Sequence, residues 1–503
     1  MIEIKEQISE TEERVDRIRR TLGFFLGPLV FVTLLLLPLD GVSAKAHTLA
    51  AILGLVVAWW ITEPIPIPVT ALLGTSLCVI LGIEKAKTVF APFADPIVFL
   101  FIGSFILAKG MSQHRLDQRF AFSILSVPWV GGGSLRVLFA FGLIGALVSM
   151  WVSNTATTAM LFPIGVGILN TMTTYQSGQA SHKRFSTAMM LMAAYGASVG
   201  GIGTPVGTPP NLIGIGLINK LLGVKISFFQ WMIFALPMAL LMYGVLFLLL
   251  ALLHPSEFKA LKGIREYVRK EREGLGTMAR GETNVLCAFL VTVFLWIFPG
   301  ILSVIYGSGS APVVWFESHI PEGVAALLGA SLLFFLPIDW KQRMFTMSWQ
   351  DAVKIDWGTI LLFGGGLSLG SLIFSTGLAD SMGKGILGLT GAQSILTITA
   401  VATGLGIITS ELTSNTASAN MIIPVVISLS GAAGVNPLLP ALGACIGASY
   451  GFMLPVSTPP NAIVYGSGLV PITKMIRAGI LFDILGFFLI VFGLFLFVPL
   501  AGL

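Results

Sequence analysis

Residues 149–156 read Ser-Met-Trp-Val-Ser-Asn-Thr-Ala, and residues 410–417 read Ser-Glu-Leu-Thr-Ser-Asn-Thr-Ala. The match runs on through Met160 and Met421 to Pro163 and Pro424, at a constant offset of 261. A second motif follows each copy: Pro205-Val-Gly-Thr-Pro-Pro-Asn211 and Pro455-Val-Ser-Thr-Pro-Pro-Asn461, offset by 250. Upstream, Phe101, Gly103 and Leu107 fall on Phe363, Gly365 and Leu369, an offset of 262. One Ser-Asn-Thr triplet would be chance. Two copies in the same order, each followed by Thr-Pro-Pro-Asn, mark an internal repeat.

The repeats lie in a chain of 503 residues that is 55% hydrophobic and 11% charged, with a mean hydropathy of +0.91. Soluble domains are about a quarter charged, so this chain lacks the polar residues for a water-facing shell and must be covered by lipid. Apolar stretches of spanning length lie at 22–39, 46–62, 66–83, 96–112, 228–252, 284–299, 322–337, 357–376 and 475–500. Two more, 185–222 and 437–470, are interrupted by Pro-Pro; a further two, 134–172 and 393–430, by Ser-Asn-Thr.

The net charge of +5 fits the excess of Lys and Arg in cytoplasmic loops. No basic-aromatic patch suggests a nucleic-acid partner. Cys78, Cys287 and Cys445 sit alone in apolar runs, and His47, His114, His182, His254 and His319 are scattered. They supply neither a metal spacing nor a nucleophile–base pair, so the chain reads as no enzyme. The N-terminus carries both charge signs and no cleavage site, unlike a signal peptide. Ile4, Ile8, Thr11, Val15 and Ile18 recur at helical spacing, which predicts a short amphipathic cytoplasmic helix over 1–20.

Loop charges orient the spans. Residues 254–283 hold Lys259, Lys262, Arg265, Arg269, Lys270, Arg272 and Arg280, whereas 300–321 hold no Lys or Arg. The first loop therefore belongs inside and the second outside. Parity then requires that 134–172 make no net crossing, as a hairpin entering from the cytoplasm, and that 393–430 be a hairpin entering from outside. The fold class expected is an all-α polytopic membrane protein: eleven transmembrane helices plus two re-entrant hairpins in an inverted repeat, with the N-terminus cytoplasmic and the C-terminus outside. Sites in such inverted folds lie near the midplane, which favours a secondary transporter over a channel.

At each hairpin turn the first N–H groups of the second arm are unpaired and favour an anion. The last carbonyls of the first arm favour a cation. The Pro-Pro pairs end a helix and free further carbonyls, which Asn211 and Asn461 can tie down. No Lys or Arg lies in these motifs, so an anion there needs helix dipoles and a co-bound cation such as Na⁺. Glu411 reads as a brace at the second turn or as an ionic group, Phe363-Gly-Gly-Gly366 as close helix packing, and 257–273 as a solvated cytoplasmic helix.

VSNTATTAM at 152–160, TSNTASANM at 413–421, GTPPN at 207–211 and STPPN at 457–461 resemble the divalent anion/sodium symporter family, which includes sodium-coupled di- and tricarboxylate transporters. The resemblance implies a homodimer in a bacterial or organellar-type inner membrane, with scaffold helices and a transport unit that moves like an elevator. The implied division is 1–20 cytoplasmic helix, 21–93 scaffold, 94–253 first repeat, 254–283 cytoplasmic loop, 284–356 scaffold and linker, and 357–503 second repeat. One sodium site would use Ser149, Ser153, Asn154 and Gly207; the other, Ser410, Thr413, Asn415 and Ser457. Substrate carboxylates would meet Asn154, Thr155, Thr208, Ser414, Asn415, Thr416 and Thr458. The implied activity is Na⁺-coupled symport of C4-dicarboxylates (succinate, malate, fumarate), with Na⁺ as coupling ion and no organic cofactor. A sodium-independent dicarboxylate exchanger and a citrate or sulfate carrier are the alternatives.

Overall fold

The computed structural model describes residues 10–38, 41–175, 183–257, 263–307 and 309–503. Parts of two expected elements, residues 1–9 of the N-terminal helix and 258–262 of the charged loop, lie outside the described residues.

The first half runs α1 Glu10–Leu36, α2 Ala44–Thr62, α3 Ile67–Ile80, α4 Ala86–Phe90, α5 Pro96–Gln113, α6 Leu116–Leu125, α7 Ser134–Ser149, α8 Asn154–Tyr175, α9 Lys183–Gly201, α10 Pro209–Leu222 and α11 Phe228–Leu253. The middle holds α12 Ile264–Gly274, α13 Arg280–Tyr306, α14 Ala311–His319, α15 Glu322–Phe335, a ribbon of β1 Pro337–Asp339 and β2 Met344–Phe345, and α16 Trp349–Ala352. The second half runs α17 Trp357–Ser375, α18 Leu378–Thr390, α19 Ile395–Leu412, α20 Asn415–Ala432, α21 Leu438–Gly447, α22 Pro459–Tyr465 and α23 Ile472–Phe497.

The series α5 to α11 recurs as α17 to α23. Each has a long helix, a short one, two arms separated at Ser-Asn-Thr, a helix that unwinds before Thr-Pro-Pro-Asn, and a long closing helix. The halves also interlock: α10 packs on α20 and α21, and α22 packs on α8 and α9.

Among the described residues, nine helical stretches are long and apolar enough to cross a bilayer, or ten with the pair α14–α15, which bends by 58°. Every apolar segment singled out in the sequence contains helix, but three give shorter helices than expected; 437–470 is helical only over Leu438–Gly447 and Pro459–Tyr465. The segment 66–83 forms a helix of 14 residues, because Pro64 and Pro66 hold the chain out of helix up to its start and Gly82, at φ 73°, follows its end. The segment 322–337 also gives 14 residues. The N-terminal helix is not a separate element either. Its described part is the beginning of α1, which runs on through residue 20 because no breaker intervenes and Gly23 lies against Thr62 of α2.

Small residues bring the arms together. A Cβ on Gly200 of α9 would fall 2.1 Å from the Ala146 carbonyl of α7, and one on Gly447 of α21 would fall 2.7 Å from the Thr403 carbonyl of α19. Both halves thus use the close backbone approach typical of packed membrane helices. The Phe363-Gly-Gly-Gly366 stretch packs likewise, with Gly364 against the Phe93 ring, Gly365 against Ala71 and Gly366 against Asn420. The charged helix α12 is less solvated than its composition suggests. Ile264 and Val268 are buried, Tyr267 lies against Gly167 of α8, and Arg265 and Arg272 donate to the Pro128 carbonyl and Ser126 Oγ, both at 3.0 Å.

Where α11 ends beside the starts of α9 and α23, His254 is buried. Burial, with Lys474, Arg477 and Arg184 nearby, pushes its imidazole down to about 4. The folded value lies below the unfolded one near 6.5, so the unfolded chain binds the proton first. Stability is therefore undiminished by this group above pH 6.5 and falls as the pH drops toward 4. His254→Gln is expected to flatten the acid limb of the melting temperature over that window. An unchanged limb would remove the histidine from the account.

Gly200→Ala should destabilise by about 1–3 kcal/mol or more through overpacking. Gly244→Ala, where nothing lies within 4 Å of the new Cβ, should leave the melting temperature in detergent unchanged or slightly raised. Equal melting temperatures for the two variants would contradict the close packing of α7 on α9.

Candidate functional site

The two helices around each Ser-Asn-Thr, α7 and α8 or α19 and α20, are separated by four and two residues, which leaves the end of one helix beside the start of the next. In the first half Ser149 Oγ, at the end of α7, donates to Asn154 Oδ1, at the start of α8, at 2.7 Å. In the second half Ser410 Oγ donates to Asn415 Oδ1 at 2.8 Å. The turn serines cap the second arms: Ser153 Oγ accepts from the Ala156 N–H at 3.3 Å, and Ser414 Oγ from the Ala417 N–H at 3.2 Å.

The unwound stretches are tied by the same side chain in both halves. Asn211 Nδ2 donates to the carbonyls of Gly201 (2.9 Å) and Thr204 (2.8 Å). Asn461 Nδ2 donates to those of Gly451 and Leu454, both at 3.0 Å. The donor-to-acceptor spacing in sequence, ten and seven residues, is identical in both halves. Each amide also leaves its Oδ1 buried without a protein partner. Pro209 and Pro210, and Pro459 and Pro460, occupy the first positions of α10 and α22. Their rings fix φ for the first turn and remove two N–H groups that would otherwise lie buried and unpaired.

Glycine lets these pieces meet. A Cβ on Gly201 would fall 2.4 Å from Asn154 Oδ1 and 3.2 Å from the Gly207 carbonyl; one on Gly207 would fall 2.5 Å from the Gly201 carbonyl and 2.9 Å from that of Ser149. Four oxygens therefore face a space that only glycine leaves open. In the second half a Cβ on Gly451 would lie 3.1 Å from both the Ser410 carbonyl and Ser410 Oγ, and 3.3 Å from Ser457 Cβ. Neutral oxygens with no imidazole or thiolate suit a hard cation. Among the described residues no group of three His, Cys, Asp or Glu that would favour a transition metal occurs.

Residues 20–502 match the family described as the sodium:sulfate symporter transmembrane region. The chain belongs to that family. It is 35% identical over 497 residues to the sodium-dependent dicarboxylate transporter SdcS of Staphylococcus saprophyticus, covering 98% of this chain and 94% of that protein. SdcS of Staphylococcus aureus (strain USA300) is 34% identical over 492 residues, covering 95% and 91%. Among solved structures, the Alcanivorax borkumensis YdaH transporter superposes with a TM-score of 0.54 at 14% identity, over 96% of this chain and 97% of that one. Neisseria gonorrhoeae MtrF follows at 0.53 and 12%, over 94% of each. These two likenesses concern the fold alone: an all-helical, multi-pass membrane transporter.

Within this chain, Ser149, Asn154 and Gly207 are brought together, as are Ser410, Asn415 and Ser457. Ser153 lies on the exposed side of its turn. The hydroxyl of Thr413 points to a different partner, the Trp60 carbonyl of α2, at 2.6 Å. Thr208 and Thr458 are buried at the starts of α10 and α22, while Thr155 is exposed and Ser414 and Thr416 half-buried.

Gly201 and Gly451 escape a motif reading because they lie upstream of the Pro-Pro pairs. The bracing differs between halves. Glu411 accepts from the Met453 N–H at 2.8 Å and from Ser457 Oγ, which assigns it the role of brace. The equivalent position is Met150, and there Thr204 Oγ1 donates to the Met150 carbonyl instead.

If the Asn braces hold the cradles open, Asn211→Ala and Asn461→Ala each leave buried carbonyls unpaired, at about 1–3 kcal/mol per group. Sodium-dependent thermal stabilisation of the purified protein should then need at least about tenfold more Na⁺. A sodium midpoint equal to the unsubstituted protein's in both variants would disconnect the amides from cation binding.

Proposed function

We propose that this chain is a Na⁺-coupled symporter of C4-dicarboxylates such as succinate, malate and fumarate. One observation carries the reading: the same Ser–Asn–Gly oxygen cradle occurs twice, each beside a helix N-terminus and without a Lys or Arg. Helix N-termini, at about half a charge each, favour a dianion but hold it less tightly than they would with cations beside it. A sodium ion in each cradle supplies the missing charge, so substrate binds well only after the cations. That order couples the two gradients. Sodium is held through Ser149, Ser153, Asn154 and Gly207 and through Ser410, Thr413, Asn415 and Ser457. The substrate carboxylates are met at the helix starts by Asn154, Thr155 and Thr208 and by Ser414, Asn415, Thr416 and Thr458. The likeness to two sodium-dependent dicarboxylate transporters over nearly the whole chain supports this substrate class.

The repeats are inverted in the bilayer, with eleven crossings, two hairpins, the N-terminus inside and the C-terminus outside an inner membrane. Scaffold helices at 21–93 and 284–356 hold a homodimer, and the two hairpin units slide past them. Two contacts of the turns mark the sliding boundary. Thr413 bonds to Trp60 of α2, and the Trp151 ring meets Phe289 of α13 edge-on with centroids 5.1 Å apart. Sulfate is the second reading, favoured by the family's own description.

In proteoliposomes an inward Na⁺ gradient should drive succinate accumulation, with sulfate a weak competitor. Asn154→Ala and Asn415→Ala should each abolish uptake, by about a hundredfold or more if a charge-assisted contact is lost, while the protein remains folded. Full uptake without sodium would rule out symport, and preferential sulfate uptake would reassign the cargo.

A further inference from the structure

Away from both cradles lies a cavity of about 690 Å³. The ends of α10 and α13, the starts of α5, α11 and α15, part of α14 and the C-terminal turn wall it. Its volume falls in the range of small-molecule sites, about 300–1,000 Å³. Ile97, Ile215, Ile233 and Leu295 give it an apolar body. Three ionisable residues line it, Lys225, Glu317 and Glu322, so it carries two carboxylates against one cation.

Glu322 is the inner carboxylate. One of its oxygens accepts from the Phe228 N–H at the first position of α11. That terminus already has its own capping box from Ser227 and Gln230, so Glu322 adds a contact across helices rather than a needed cap. Its backbone carbonyl accepts from Trp296 Nε1 at 3.0 Å. Phe228 stacks on Trp296 with centroids 4.6 Å apart and on Trp151 at 6.2 Å. Trp151 sits in the turn between Ser149 and Ser153. A run of stacked rings thus leads from Phe228, which is bonded to the cavity's Glu322, to the first turn.

We propose that this cavity is a second, regulatory binding site, for an amphipathic organic cation whose ammonium pairs with Glu317 and Glu322 while its apolar body fills the space toward α11 and α13. The charge of the lining selects the class. A carboxylate at a low-dielectric wall gains most from a hydrogen-bonding cation, and a second anion would be repelled. The position selects the effect. A ligand there bridges α10 and α11 on one side and α13 to α15 on the other, the elements that must part in the sliding motion proposed above. Only this effect on uptake rests on the transport reading; binding does not.

The test uses purified full-length protein and three probes of equal shape: 4-phenylbutylamine, 4-phenylbutan-1-ol and 4-phenylbutyrate. Thermal shift should show the amine binding at least about tenfold more tightly than the alcohol, the loss expected for one charge-assisted hydrogen bond, and the acid not at all. Glu317→Gln, at an exposed position, and Glu322→Gln should erode the amine's advantage. Ile233→Trp, which fills the cavity, should remove binding of all three. In proteoliposomes the amine should lower the maximal rate of succinate uptake without changing its half-saturation. Equal binding of the three probes, an advantage that survives both Gln variants, or inhibition relieved by saturating succinate would each overturn the proposal. So would amine binding that appears only after phospholipid is stripped away, because a lipid would then be the occupant. Intact amine binding in a protein that moves no dicarboxylate would sink the transport reading and leave this one standing.

Discussion

In hydrocarbon every peptide N–H and C=O must find its partner inside the protein. The rest of this structure depends on how that constraint is met at four helix breaks. An interrupted helix at membrane depth leaves several donors and acceptors unpaired, each costing on the order of a few kcal/mol. Here Asn211 and Asn461 absorb the carbonyls of the helix that ends, and the Pro-Pro pairs delete N–H groups from the helix that begins. Ser153 and Ser414 cap the hairpin arms in the same way. What remains at each break is a small set of clustered oxygens, some of them already accepting one hydrogen bond, and on the proposed reading these are what a cation uses.

The interlocking of the halves follows from the same economy of space. Each short Pro-Pro helix cannot bury itself against its own arm, which is already filled by glycine-mediated packing with the preceding helix. It lies instead against the hairpin of the other half, α10 on α20 and α22 on α8. The consequence is mechanical: a rearrangement at one cradle is felt by the element that borders the other. If both cradles hold cations as proposed, this packing would couple their loading.

Much of this was legible in the sequence because the signals were covalent in origin. Pro-Pro cannot continue a helix, and Ser-Asn-Thr in an apolar run has few other uses, so the breaks at 149–154, 201–209, 412–415 and 447–459 were readable from residue type alone. The close approaches were harder. Gly201 and Gly451 matter through the oxygens around them, which only three-dimensional packing supplies. The continuous α1 was missed because a change from charged to apolar composition looks like a boundary, whereas a helix ends only where its backbone is interrupted. The helix α12 was read as solvated from its charges, yet Tyr267 and two arginines fasten it to α6, α8 and the segment between α6 and α7. Hydrophobic positions in a highly charged helix are few, and two buried ones suffice to fix which face is turned inward.

The asymmetry at Met150 and Glu411 bears on how charge is distributed between the cradles. Were Glu411 free, its carboxylate would compete with a substrate dianion for the cations of the second site. It accepts instead from the Met453 N–H and from Ser457 Oγ, with Asp483 of α23 beside it, so the carboxylate is engaged by the unwound stretch 453–457. The first half reaches the same rigidity without charge, through Thr204 and the Met150 carbonyl. On the proposed reading, a cation in the second half would therefore sit in a more negative surrounding than its counterpart, although both would be ringed by neutral oxygens. On that reading the second cradle would hold its cation more tightly, while the first is the one joined to α11 and α13, through Trp151.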